Sequence, residues 1–79
     1  MSSVEDRLLL VFQAAFPTIP PSELKTATAE SLEAWDSLAT VTLVSLVQEE
    51  YGVEIPPEET MTLMSFAGFR DVVERLMND

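Results

Sequence analysis

Apolar residues recur at three- and four-residue intervals in three stretches of this chain, and most of the prolines lie between those stretches. Val4, Leu8, Val11, Phe12 and Ala15 fall on one helical face and predict a helix from Ser3 to about Phe16. Ser3 followed by Asp6 resembles a capping box, although Glu or Gln is the usual partner. Pro17, Pro20 and Pro21 stop the helix. From Pro17 to Asp36 no period is sustained. Leu24, Ala27, Leu32 and Trp35 read as scattered apolar anchors of a long loop, with a single turn expected near Ser22–Leu24. Loops of that length in compact domains are usually functional or packed by their own side chains.

The second helix is predicted over Ser37–Tyr51. Asp36 suits the N-cap, where its carboxylate accepts from first-turn N–H groups, and Gly52 suits the left-handed position that ends a helix. Helical spacing puts Thr40, Leu43, Val44, Val47 and Tyr51 on the core face, with Leu38, Val41 and Ser45 nearly opposite. Val53 to Pro57 reads as extended, because a residue before proline is pushed out of the α region. A short helical turn is expected over Glu59–Met64. The last helix should run from about Phe66 to Met77, with Ser65 as N-cap and Phe66, Phe69, Val73 and Leu76 facing inwards. The fold class is all-α. It is a small bundle of three main helices plus one short helix, with a long loop between the first two, forming one domain over residues 1–79.

Composition narrows the chemistry. The chain has 79 residues, no Cys and no His, which excludes disulfides, imidazole acid–base catalysis and nucleophilic triads built on His. A chain this short buries only roughly 60 % of its unfolded surface, leaving little room for an enclosed catalytic cleft. Fourteen acids against four bases give a net charge of −10, which repels nucleic-acid phosphate and anionic lipid and attracts basic protein patches. The longest apolar run, Leu8–Phe12, is far short of the ~20 residues of a membrane span. The N-terminus is acidic where a signal peptide is cationic. These features suggest a soluble, cytoplasmic, monomeric protein without dedicated metal ligands. Catalysis by carboxylates alone lacks a positioned second pair beside Glu58 and Glu59.

One short motif stands out. Asp36-Ser37-Leu38 opens the second helix, and Asp-Ser at such a place is ordinary capping on its own. With no His and no neighbouring Lys, Ser37 has no base to make it a nucleophile. A phosphate ester on its hydroxyl, however, would sit at the positive end of the helix dipole. The position suits an attached phosphodiester better than it suits catalysis.

At this point the sequence resembles the acyl carrier proteins. Asp36-Ser37-Leu38 leading into Ala39-Thr40-Val41-Thr42-Leu43-Val44 is similar to that family's modification site, and Gln48-Glu49-Glu50-Tyr51-Gly52-Val53-Glu54-Ile55-Pro56 to its continuation. Length, acidity, helix count and the long first loop extend the resemblance over nearly the whole chain. It implies that Ser37 carries 4′-phosphopantetheine, transferred from coenzyme A by a phosphopantetheinyl transferase, with Asp36 and Leu38 flanking the attachment. The arm's terminal thiol would hold acyl cargo as a thioester, supplying the thiol that a Cys-free chain lacks. The resemblance also implies acyl-loading and acyl-transfer enzymes with basic docking patches as partners.

Two departures refine this expectation. Fatty-acid carriers usually have acidic residues where this chain has Ala39 and Thr42, and peptidyl carriers a Gly-rich lead-in where it has Trp35. A specialised carrier for a polyketide-type or modified-lipid pathway, or for a dedicated ligase, is the preferred reading. A peptidyl carrier and an unmodified acidic adaptor are the alternatives. Between Thr26 and Phe69 there are eight acids and no base, and Glu49, Glu50 and Glu54 are the expected docking acids. Leu38 and Val41, a turn apart beside Ser37, are the expected apolar docking contact. Met61, Met64, Phe66 and Phe69 read first as core and second as the lining of an acyl pocket. Trp35 reads as a loop anchor whose staple to Thr40 would be weak, Thr offering only a methyl group.

Overall fold

The computed structural model describes residues 4–60 and 62–78, so the Ser3 cap and Met61 lie outside the described residues. Helix α1 spans Val4–Ala15 and buries Leu8, Val11 and Phe12, the inward stripe that the spacing predicts. Phe16 adds one more helical hydrogen bond, its N–H donating to the Phe12 carbonyl at 2.8 Å, before Pro17 ends the run.

The long loop contains a second short helix, α2, over Pro21–Leu24. Pro20 is extended, and Pro21 takes the first helical position, where a missing N–H costs nothing. A four-residue helix is too short to show a period, which is why the sequence suggests only a turn there. The rest of the loop is packed by its own residues: Leu24, Ala27 and Trp35 are buried and Leu32 is half-buried. An isolated antiparallel bridge between Thr28 and Ser65 pins it to the start of the last helix. The Ala29 N–H donates to Met64 O at 2.8 Å and the Phe66 N–H to Ala27 O at 3.0 Å.

Helix α3, Ser37–Tyr51, has the predicted ends. Gly52 stands at φ 65°, and its N–H donates to Gln48 O at 2.9 Å. Leu43 and Val47 are fully buried, while Thr40, Val44 and Tyr51 are half-buried on the same side. Helix α4 is Pro57–Thr60, earlier than the expected Glu59–Met64 turn. Proline opens it as in α2, while Thr62 to Met64 continue only as turns. Helix α5, Phe66–Asn78, begins where the Ser65 Oγ accepts the Gly68 N–H at 2.9 Å, the N-cap bond expected of Ser65.

The helices close on an aromatic centre. Phe12 meets Trp35, Phe66 and Phe69 edge to face, with centroids 5.4, 5.0 and 5.6 Å away. That geometry places ring edges against ring faces and adds to simple burial. Phe66, Phe69 and Val73 of α5 are buried and Leu76 is half-buried. The architecture is all-α, with three main helices and two short ones among the described residues. No described helix is long and apolar enough to cross a membrane.

Candidate functional site

The site begins with the cap of α3. Asp36 is extended (φ −104°, ψ −171°), and its Oδ1 accepts the Ala39 N–H at 2.9 Å. Its carbonyl accepts the Thr40 N–H at 3.1 Å, starting the helical ladder. Ser37 is therefore the first helical residue, and it is exposed. The N–H groups of Ser37 and Leu38 precede the first possible intrahelical bond and point out of the helix end. An anion esterified at the Ser37 oxygen gains from both those donors and the helix dipole.

Trp35 fixes this turn from below. Its ring is buried against Phe12, Phe16 and Phe69, and its Nε1–H donates to the Thr40 Oγ1 at 2.8 Å. The Thr40 hydroxyl donates in turn to the Asp36 carbonyl at 3.3 Å. Trp35 and Thr40 occupy the two staple positions flanking the cap. The staple is polar as well as apolar, so the expected weakness of a methyl contact gives way to a hydrogen bond. A threonine at the fourth helical position after a tryptophan carried that signal, because its hydroxyl can accept as well as donate.

Beside Ser37 opens a cleft of about 340 Å³, lined by Trp35, Thr40 and Val41 on one side and by Ala29, Thr60, Leu63 and Met64 on the other. Ser37 and Asp36 stand at its edge. Its wall is mostly carbon, so it favours an apolar occupant. Of the four residues considered for an acyl pocket, Met64 lines the cleft and is 61 % exposed. Phe66 and Phe69 are core, and Met61 lies outside the described residues. Ala29, Thr60 and Leu63 carried no signal in the sequence, since they meet only when the loop and α4 fold against α3.

The expected docking residues differ in their surroundings. Leu38 and Val41 are 75 % and 58 % exposed, so neither loop nor short helix covers them. Glu49 is exposed on α3 roughly 16 Å further along the axis from Leu38. Glu50, next in sequence, turns towards α1, where Arg7 binds its carboxylate at 3.0 Å and its carbonyl at 2.8 Å. The same guanidinium lies 4.6 Å from the Tyr51 ring centroid, while the Tyr51 hydroxyl donates to Val4 O at 2.8 Å. Burial raises the Tyr51 pKa above 10.0; Arg7 opposes that rise and Glu50 adds to it. Glu54 is exposed in the extended segment after Gly52. Of the three acids, Glu50 is thus held by Arg7, while Glu49 and Glu54 are exposed.

No group of three or more Asp, Glu, His or Cys residues among those described is arranged to hold a metal ion. A scan against protein-family models finds no matching family, and a search of curated proteins finds no significant match.

Proposed function

We propose that the protein is a carrier whose working group is a 4′-phosphopantetheine arm on Ser37, holding acyl intermediates for a specialised lipid or polyketide-type pathway. The observation that carries the reading is the place of Ser37: exposed, first in a 15-residue helix, and at the edge of an apolar cleft. The attachment chemistry fits these residues. A phosphodiester on the Ser37 oxygen meets the unpaired donors of the first turn, and Asp36 is already engaged by Ala39 and does not need to move. When attached, the arm supplies the thiol that holds cargo as a thioester. The chain's own residues present the hydroxyl, keep the first turn rigid through Trp35 and Thr40, and offer a carbon-lined surface beside the attachment point.

In this reading the protein is not itself an enzyme but a substrate of a phosphopantetheinyl transferase and of acyl-loading and acyl-transfer enzymes. Leu38 and Val41 are the apolar contact for those partners, with Glu49 and Glu54 adding long-range attraction to basic patches. Glu50 adds less, because Arg7 neutralises it. The test is transfer from a fluorescent coenzyme A conjugate by a broad-specificity transferase. Labelling of the parent protein and none of Ser37→Ala is expected. Equal labelling of both would remove Ser37 from the proposal.

A further inference from the structure

Helices α1 and α3 leave a groove on the flank of α3 away from Ser37. It has a volume of about 280 Å³ and is lined by Leu10, Val11 and Ala14 from α1 and by Leu46, Glu49 and Glu50 from α3. Leu10 is 66 % exposed, an apolar side chain on a helix that otherwise turns its large residues inwards. Val11 is the buried residue of its lining, Leu46 is half-buried and Glu49 is exposed. Leu46 lies nine positions after Ser37, which places it about 14 Å along the axis and half a turn around it. The groove therefore opens on the opposite side of α3 from the attachment serine and its cleft.

We infer that this groove is a second docking surface, for a protein segment that inserts one apolar side chain and flanks it with Lys or Arg. Its volume has room for a Leu- or Met-sized anchor. Charge selects the occupant. Arg7, one turn before Leu10 on α1, is already held by Glu50, whereas Glu49 faces solvent. A second copy of this chain would bring another −10 to the contact, and anionic lipid or nucleic acid would be repelled in the same way. A cationic segment is attracted, and the attraction weakens as salt is added. Occupation leaves Ser37, Leu38 and Val41 open, so a partner can hold the protein while those residues serve another enzyme. The surface does not depend on Ser37 being modified.

The probe is an amphipathic helical peptide of Leu and Lys, titrated into isotopically labelled Ser37→Ala protein and followed by amide chemical shifts. The expected perturbations centre on Leu10, Ala14, Leu46 and Glu49. Affinity should fall at least about fivefold in Leu10→Ser and in Glu49→Gln, remain unchanged in Leu38→Ser, and decline with salt. A matched Leu/Glu peptide should not bind. Perturbations centred on Leu38 and Val41 would overturn the inference, as would an absence of saturable binding. Concentration-dependent shifts at Leu10 and Leu46 without peptide would also overturn it, assigning the groove to self-association. Because the test variant lacks Ser37, none of these outcomes bears on whether Ser37 carries the arm, and transfer to the parent protein tests that separately.

Discussion

Thr40→Val tests whether the Trp35 staple organises the turn that presents Ser37. The substitution keeps the shape of the side chain and replaces its hydroxyl with a methyl group. The Trp35 ring is 3 % exposed, so its Nε1–H, now bonded to Thr40 at 2.8 Å, would be left with no protein acceptor and little access to water. Leaving a buried donor unsatisfied costs about 1–3 kcal/mol. The added methyl recovers under about 0.8 kcal/mol at this half-buried position, and Thr and Val have similar helix propensities. The net loss is about 1–2 kcal/mol, or roughly 4–16 °C in Tm for a domain of this size. Thr40→Ser keeps the hydroxyl and should lose less than about 1 kcal/mol. The assay is urea unfolding followed by far-UV circular dichroism, with the emission of Trp35, the sole tryptophan, as a local probe. Adding Trp35→Phe completes a double-mutant cycle, and a positive coupling energy is expected. Thr40→Val within ~0.3 kcal/mol of the parent, or less damaging than Thr40→Ser, would refute the hydrogen-bonded staple.

Asp36→Ala removes the N-cap acceptor of Ala39 and should cost about 1 kcal/mol in the same unfolding assay, with Asp36→Asn costing a few tenths; equal loss in both would point away from capping. Tyr51 should ionise above 10.0 in a spectrophotometric pH titration, because burial disfavours the phenolate. Its raised pKa means that the associated stability is complete below the unfolded pKa and is lost as pH rises through the folded one, so unfolding midpoints should fall above about pH 10. Tyr51→Phe should flatten that fall, and an unchanged profile would contradict it. Added salt should raise Tm, since fourteen acids face four bases and their repulsion is screened within ~10 Å at 0.1 M. A lower Tm in salt would mean that the ion pairs of Arg7, Arg70 and Arg75 outweigh the repulsion.

The main helices were legible because each carries both a period and an end signal. Asp36 and Gly52 bound α3, and Ser65 opens α5. The short helices carry neither. Pro21 and Pro57 each open one, yet a proline in sequence reads first as a breaker, so α2 appeared only as a turn and α4 was expected later. Glu49 and Glu50 are neighbours in sequence but about 100° apart on the helix, and that rotation sends only Glu50 to Arg7. Nothing local marks the contact, whose partners are 43 residues apart. The exposed serine was readable from its cap. The cleft beside it was not, because its walls come from a loop, α3, the end of α4 and the turns after it, which meet only in the folded chain.

Whether Ser37 carries the arm is read by intact-protein mass spectrometry. The folded protein is incubated with coenzyme A and a broad-specificity phosphopantetheinyl transferase, beside Ser37→Ala with a matching far-UV spectrum. A gain of one phosphopantetheine is expected, mapped to the peptide containing Ser37 and absent from the variant. No gain on folded protein with several transferases, or a gain that survives Ser37→Ala, would contradict it.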